Sequence, residues 1–187
     1  ELFSGDIGNL VSTSSEYITF GSGFGWADYN NDGYMDIFNC SGGGPNGTNL
    51  WKNDGTGSFT SESPETFQIA QTSFMAVSWG DYDNDGDMDL YITNIVDGSV
   101  THNFLFQNNS TASVTDFTEV NNGDPLITDE YNTQGSTWGD VDNDGDLDIF
   151  VSNADELSPG TLFGNGGATS GYSFSRLVDY YYPLPDG

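Results

Sequence analysis

A nine-residue, aspartate-rich pattern occurs three times and constrains the fold of this chain more than any other feature. The copies occupy residues 28–36, 81–89 and 140–148, and their shared form is D-x-[DN]-x-D-G-x-x-D. Side-chain oxygens at positions 1, 3 and 5 can turn toward one point, and the glycine at position 6 permits a bend with positive φ that residues with a Cβ resist. The pattern therefore predicts three tight loops, each lined with oxygen atoms.

An oxygen-lined loop of this kind favours Ca²⁺. That ion takes roughly 6–8 oxygen ligands in a flexible geometry, and the loops offer no soft ligand for zinc or copper. We expect one Ca²⁺ per loop, about three ions in all, bound by the side chains of positions 1, 3, 5 and 9 and by the backbone carbonyl of position 7. The expected metal-binding residues are Asp28, Asn30, Asp32, Tyr34 and Asp36 in the first copy, Asp81, Asp83, Asp85, Asp87 and Asp89 in the second, and Asp140, Asp142, Asp144, Asp146 and Asp148 in the third.

Three acidic surface turns are the alternative interpretation, because Asp, Asn and Gly are common turn residues. Five carboxylates within nine residues, as in the second and third copies, would repel one another strongly without a cation. The repeated spacing therefore favours a metal site. The first copy has Asn30 and Tyr34 where the others have aspartate, so we expect it to bind Ca²⁺ most weakly.

The residues around each loop predict strands. An EF-hand needs a glutamate at position 12 and helices on both sides, but position 12 here is Asn39, Ile92 or Val151. Short β-branched and aromatic runs follow each loop instead, which is typical of strands. A tryptophan stands two residues before each loop, and we expect the three to share one environment, partly buried near the interfaces between repeats. These tryptophans are Trp26, Trp79 and Trp138.

The loops begin 53 and then 59 residues apart, and a period of this size is typical of a propeller or repeat array. The predicted fold class is all-β: tandem four-stranded blades of β-propeller type, with three full repeats and a partial one. The predicted division is a partial repeat or closing strands at residues 1–16, repeats at 17–67, 68–128 and 129–178, and a linker or docking tail at 179–187.

The stretch W-[AG]-D-x-[DN]-x-D-G-x-x-D-[IL], followed by L-[WF]-x-N-x-G and a later phenylalanine, resembles the FG-GAP/VCBS repeat over residues 17–178. That family includes the Ca²⁺-binding blades of integrin α-subunit propellers. The resemblance implies a four-stranded blade with the Ca²⁺ loop between its first two strands. Propellers of the family usually close with about seven blades. We therefore expect the three repeats to be part of a larger propeller or assembly.

The formal net charge is −27, with Lys52 and Arg176 as the only basic residues, and the three loops hold 13 of the 29 acidic residues. Three Ca²⁺ ions would bring the net charge to about −21. That charge excludes ordinary nucleic-acid binding, which needs basic residues against phosphate. It favours a secreted, extracellular or cell-surface location, where salt screens charge. No run of about 18 apolar residues predicts membrane insertion.

Other residue types indicate no catalytic site. Cys40 is the only cysteine and His102 the only histidine; an unpaired cysteine is usually a small buried hydrophobe. The remaining carboxylates show no spacing that singles out an acid–base pair. We therefore expect no enzyme activity.

Four asparagines begin N-x-[ST] triplets, which accept glycans in secreted eukaryotic proteins. Asn46 and Asn108 lie in turn-like segments and are the better candidates, Asn109 is a further one, and Asn39 follows a strand, where we expect it to point inward.

The predicted function is a calcium-binding extracellular structural or adhesive repeat module that mediates assembly or protein interaction. Its expected partners are other protein chains or copies of itself, with glycans as a further candidate. One alternative is a propeller that binds a carbohydrate or protein ligand through Trp51, Tyr131 or the tyrosines at 180–182. Another is the non-catalytic repeat segment of a larger secreted enzyme.

Overall fold

The computed structural model describes residues 23–40, 48–62, 64–67, 69, 73–95, 102–154 and 160–180. Twelve strands in these segments form three four-stranded sheets. Neighbouring strands are antiparallel, and each sheet follows the order of the chain. The all-β prediction of tandem four-stranded blades is confirmed.

Each sheet is here called a blade. Blade 1 contains β1 (Phe24–Ala27), β2 (Asp36–Asn39), β3 (Asn49–Asn53) and β4 (Phe59–Ser61). Blade 2 contains β5 (Ser73–Gly80), β6 (Asp89–Ile95), β7 (Phe104–Asn108) and β8 (Phe117–Glu119). Blade 3 contains β9 (Thr133–Gly139), β10 (Asp148–Asn153), β11 (Gly160–Asn165) and β12 (Phe174–Tyr180). Short helical turns lie at Glu65–Phe67 (3-10), at α1 (Pro125–Thr128) and at α2 (Gly167–Ser170).

The three acidic segments, loop 1 (28–36), loop 2 (81–89) and loop 3 (140–148), each connect the first two strands of a blade. The register is the same in each case, because the tryptophan before the loop pairs with the first residue after it. The pairs are Trp26 with Ile37, Trp79 with Leu90, and Trp138 with Ile149. The predicted loop position, between the first two strands, is confirmed.

Two hydrophobic clusters hold the blades together. Successive side chains of a strand point to opposite faces of the sheet, so the middle blade can bury apolar residues against a neighbour on each face. Phe38 and Leu50 of blade 1 pack against residues of blade 2 such as Phe106, and all three are fully buried. Burying one such side chain contributes about 1.5–3 kcal/mol. Cys40 belongs to the same cluster and is fully buried, as expected. The second cluster joins blades 2 and 3 through Tyr91, Leu105, Ile149, Val151 and Phe163.

Glycine lets the blades approach closely near the loops. A Cβ on Gly80 of blade 2 would lie 2.8 Å from the indole of Trp138 in blade 3. A Cβ on Gly25 of blade 1 would lie 2.8 Å from the indole nitrogen of Trp79 in blade 2. The tryptophan of one blade therefore packs directly on the backbone of the blade before it.

The expectation of one shared tryptophan environment is wrong for Trp26. Trp79 and Trp138 are partly buried against the two interface clusters, whereas Trp26 is 57% exposed. The cause is position in the array: in the part of the chain that the structure describes, no blade packs on the outer face of blade 1.

The outer face of blade 3 is exposed in the same way. Phe150 and Leu162 pair across β10 and β11, at the places that Tyr91 and Leu105 occupy in blade 2. The blade 2 pair is buried against blade 3, whereas Phe150 and Leu162 are only half-buried. Both ends of the described array therefore present apolar side chains to solvent.

The partial repeat expected at residues 1–16 and residues 181–187 of the expected tail lie outside the described residues. β12 runs to Tyr180, two residues into the segment that the sequence assigns to the tail. Among the described helices, none has the length and apolar character needed to cross a lipid bilayer.

Candidate metal centre

The backbone of each loop bends at two residues. The glycines at position 6, which are Gly33, Gly86 and Gly145, have φ values of 90°, 96° and 95°, as the pattern predicts. The asparagines at position 4 also have positive φ, with values of 55° to 62°, and sequence reasoning missed them. Asparagine is among the few residues with a Cβ that adopt this conformation readily, which is the signal that could have found them. These asparagines are Asn31, Asn84 and Asn143.

The aspartates at positions 1 and 5 accept hydrogen bonds from backbone N–H groups of their own loop. In loop 2, Asp81 accepts backbone N–H groups from Asp85 at 3.0 Å and from Gly86 at 3.1 Å. Asp85 accepts the N–H of Asp87 at 2.9 Å. Loops 1 and 3 repeat these bonds. Such side-chain-to-backbone bonds are the means by which aspartate stabilises tight turns.

The aspartate at position 9 is buried and joins its loop to the third strand of its own blade. Asp89 is 0% exposed and accepts the N–H of Tyr82 at 3.0 Å and that of Asn108 at 2.8 Å. Asp148 makes the equivalent bonds in blade 3. In blade 1, Asp36 accepts the N–H of Asn53 at 2.8 Å.

Carboxylates at positions 1, 3 and 9 converge in two loops. Oxygens of Asp81, Asp83 and Asp89 lie within 4.8 Å of one another, and so do those of Asp140, Asp142 and Asp148. The aspartates at position 5 are not members of these groups. In loop 1, position 3 is Asn30, which offers an amide oxygen in place of a carboxylate. The two acidic clusters could hold a metal ion.

Two buried carboxylate oxygens, Oδ2 of Asp36 and Oδ1 of Asp83, accept no well-formed hydrogen bond from the described residues. A buried charged oxygen without a donor is costly unless a cation faces it. The donor set is therefore suited to a hard cation such as Ca²⁺, which binds carboxylate and carbonyl oxygens.

Burial also perturbs the acidity of these groups. It raises the pKa of Asp36 to about 6 and that of Asp89 to about 8, although backbone N–H donors oppose the shift. The pKa of Asp83 is raised too, mainly by burial and then by the charge of Asp85. Without a cation these carboxyl groups hold protons more tightly, whereas a bound divalent ion favours the ionised form.

Neighbouring loops are hydrogen-bonded to each other through positions 4 and 7. The amide of Asn31 donates to Oδ1 of Asp87 at 2.5 Å, and the amide of Asn84 donates to Oδ1 of Asp146 at 2.7 Å. The side chains of Asp87 and Asp146 thus bond to the preceding loop. Position 7 accordingly remains a candidate ligand through its backbone carbonyl, as the sequence predicts.

Asparagine in the L-[WF]-x-N motif forms a second link between blades that sequence reasoning missed. Asn108 at the end of β7 donates its amide hydrogens to the carbonyls of Met88 at 2.9 Å and Tyr29 at 2.7 Å. Asn165 donates in the same way to Leu147 and Tyr82. The recurrence of asparagine at the same place of the motif was the sequence signal that could have indicated this link. Each of these two asparagines holds its own loop and the loop of the preceding blade.

This contact corrects the expectation that Asn108 lies in a turn and accepts a glycan. Asn108 belongs to β7 and is 0% exposed, so its amide nitrogen is inaccessible. Asn39 is buried and accepts a bond from the indole of Trp51 at 2.7 Å, in agreement with the inward position expected for it. Asn109 is exposed, and Asn46 lies outside the described residues.

In two blades the side chain of the residue before the motif asparagine contacts an aspartate of the loop. The Nζ atom of Lys52 lies 3.6 Å from Oδ2 of Asp32 in loop 1. Gln107 donates from Nε2 to Oδ2 of Asp83 in loop 2 at 2.6 Å. The third blade has Gly164 at this place, so no side chain reaches loop 3 from there.

The aromatic residues suggested as ligand contacts differ in environment. Trp51 is half-buried and bonded to Asn39. Tyr131 lies 5.8 Å from the guanidinium of Arg176. Tyr180 is 54% exposed, and residues 181 and 182 lie outside the described residues. His102 lies beside Phe104, with ring centroids 4.8 Å apart.

Comparison with known proteins agrees with this architecture. The chain is similar to Cartilage acidic protein 1 of Xenopus tropicalis, with 29% identity over 155 residues. That alignment covers 82% of this chain and 24% of the relative, so the chain spans about a quarter of the relative's length. Residues 28–92, from loop 1 to just beyond loop 2, match the family model of the FG-GAP-like repeat. This segment is therefore an FG-GAP-like repeat, as the sequence resemblance indicated.

Proposed function

We propose that the chain is a calcium-binding structural repeat module. The observation that carries the proposal is the convergence of three carboxylates in loop 2 and of three in loop 3, one of them buried in each loop. The buried oxygens of Asp36 and Asp83 that accept no well-formed hydrogen bond add to it. Ca²⁺ fits because the donors are hard oxygens in a flexible loop. The proposed ligands are the side chains of positions 1, 3 and 9, which converge in loops 2 and 3, together with the side chain of position 5 and the carbonyl of position 7, which the sequence pattern predicts.

The ion would act on the fold and not on a substrate. Each loop joins the first two strands of a blade, and in all three blades its position-9 carboxylate bonds to the third strand. Links between loops connect the three sites along the array. A cation bound in a loop therefore stabilises the blade and its packing against the next blade. No catalytic step is needed for this role.

Calcium counting tests the proposal. Calorimetric titration of the chain should show about three ions, and EDTA should lower the melting temperature, because a ligand at 100 times its dissociation constant adds about 2.7 kcal/mol per independent site. Asp144→Ala should lose one ion, whereas Asp116→Ala, an exposed aspartate outside the loops, should lose none. An unchanged melt with and without millimolar Ca²⁺ would refute calcium binding.

We further propose an extracellular location and a role in assembly or adhesion. Support for the location comes from the acidic composition and from the similarity to a relative named after cartilage, a tissue that consists largely of extracellular matrix. Support for assembly comes from the apolar outer faces of blades 1 and 3, which match faces that are buried between blades. The partner would be another protein chain or a second copy of this chain.

A further inference from the structure

The residue at the third place of the L-[WF]-x-N motif differs in charge between blades, although its structural position is the same. Lys52 pairs with Thr60, Gln107 with Thr118, and Gly164 with Ser175, in each case between the third and fourth strands of a blade. At this position blade 1 therefore places a cation near its loop, blade 2 places a neutral amide there, and blade 3 has no side chain.

Lys52 is held against loop 1 from two sides. Its ammonium group lies 3.6 Å from Oδ2 of Asp32, at position 5 of the loop. The same group donates to the backbone carbonyl of Ala112 in blade 2 at 2.6 Å. The side chains of Lys52 and Asp32 are only 23% and 17% exposed. The bond to blade 2 keeps the charge near the loop.

We infer that Lys52 sets the calcium affinity of loop 1 and makes it the weakest of the three sites. This inference depends on the proposed function. A fixed ammonium repels an incoming divalent ion and competes for a carboxylate oxygen at position 5. In blade 2 the equivalent residue, Gln107 of β7, donates to Asp83 at position 3 of loop 2 and carries no positive charge. Loops 2 and 3 therefore fill at lower Ca²⁺ concentrations than loop 1.

Asn30 at position 3 is a second reason for weak binding at loop 1, since it replaces a carboxylate. An exchange between blades separates the two causes. Lys52→Gln places beside loop 1 the side chain that blade 2 has at the third place of the motif, and it leaves Asn30 unchanged. Gln107→Lys places beside loop 2 the side chain that blade 1 has at the third place of the motif, and it leaves all five aspartates of loop 2 unchanged.

The experiment is a calorimetric Ca²⁺ titration of the full chain at low ionic strength. Lys52→Gln should strengthen the weakest site roughly three- to tenfold, and Gln107→Lys should weaken one of the other sites by a similar factor. Both differences should shrink in about 1 M salt, where charges are screened beyond roughly 3 Å. Circular dichroism and a thermal melt in Ca²⁺ establish that each variant is folded.

Two controls make the result specific. Lys52→Arg keeps the charge and should keep the weak site. Arg176→Gln removes the other cation, which pairs with Asp129 and Asp179, and it should leave the weakest site within twofold of the parent chain. If Lys52→Gln behaves like Arg176→Gln, or if Gln107→Lys leaves all sites unchanged, the inference is overturned.

The same titration distinguishes this failure from failure of the proposed function. Ca²⁺ binding by the parent chain with no change in either exchange variant overturns only the role of Lys52. An absence of binding in the parent chain overturns the calcium site itself and this inference with it. If Lys52→Gln does not fold, Gln107→Lys decides the question alone, because it lies in a different blade.

Discussion

At the scale of single residues, the aspartate at position 9 serves the fold as well as the proposed ion. Asp89 is fully buried and accepts backbone N–H groups from its own loop and from β7. Asp85, at position 5 of the same loop, is exposed and bonds only within the loop. Two candidate ligands of one ion thus differ in what they do when no ion is bound.

This difference predicts unequal losses of stability in two alanine variants in EDTA. Asp89→Ala leaves two buried N–H groups without an acceptor and should lower the free energy of unfolding by roughly 2–4 kcal/mol. Asp85→Ala should stay within about 0.5 kcal/mol of the parent chain, as exposed substitutions usually do. Urea denaturation in EDTA measures both. Equal effects of the two substitutions would show that position 9 has no separate structural role.

At the scale of strands and loops, asparagine side chains carry the links between blades. Asn108 connects β7 to the carbonyls of Met88 and Tyr29, and it therefore joins blade 2 to loop 1. The adjacent Asn109 is exposed and offers a matched comparison one residue away. The pair separates the effect of the buried link from the effect of losing an asparagine in this segment.

Asn108→Ala should lower the free energy of unfolding by about 2–3 kcal/mol, because the carbonyl of Tyr29 in a buried bond and that of Met88 in a partly buried bond lose their donor. Asn109→Ala should have an effect below about 0.5 kcal/mol. The measurement is urea denaturation in Ca²⁺. A near-neutral Asn108→Ala would show that water or another donor replaces the amide, and that this link does not hold the blades together.

These elements also mark how far the sequence could predict the structure. The loops and the strands beside them were predictable because they depend on local chemistry, such as positive φ at Gly86 and aspartate turns. The burial of Asn108 was not, since a polar Asn-Asn-Ser segment is typical of a turn unless a neighbouring blade supplies the partners. The exposure of Trp26 likewise depends on which blade stands beside it, and the spacing of a motif carries no information about that.

At the scale of the whole molecule, the described array has two apolar ends, and each resembles one of the two sides of an internal blade interface. The outer face of blade 1 presents Trp26, which is equivalent to a tryptophan partly buried at each internal interface. The outer face of blade 3 presents Leu177 and Tyr180, which are 50% and 54% exposed. Each end therefore has the character of one side of an existing blade interface, and a second copy of the chain could supply the other side.

If the ends join, the isolated chain should self-associate in millimolar Ca²⁺ and separate in EDTA. A formal charge of −27 opposes contact between copies, and bound Ca²⁺ reduces that repulsion. Light scattering over a range of protein concentrations measures the association. Trp26→Glu should abolish it, whereas Val114→Glu, at another exposed apolar position but outside the two end faces, should leave it intact. A chain that stays monomeric with and without Ca²⁺ would reject self-assembly and favour a binding domain that functions alone.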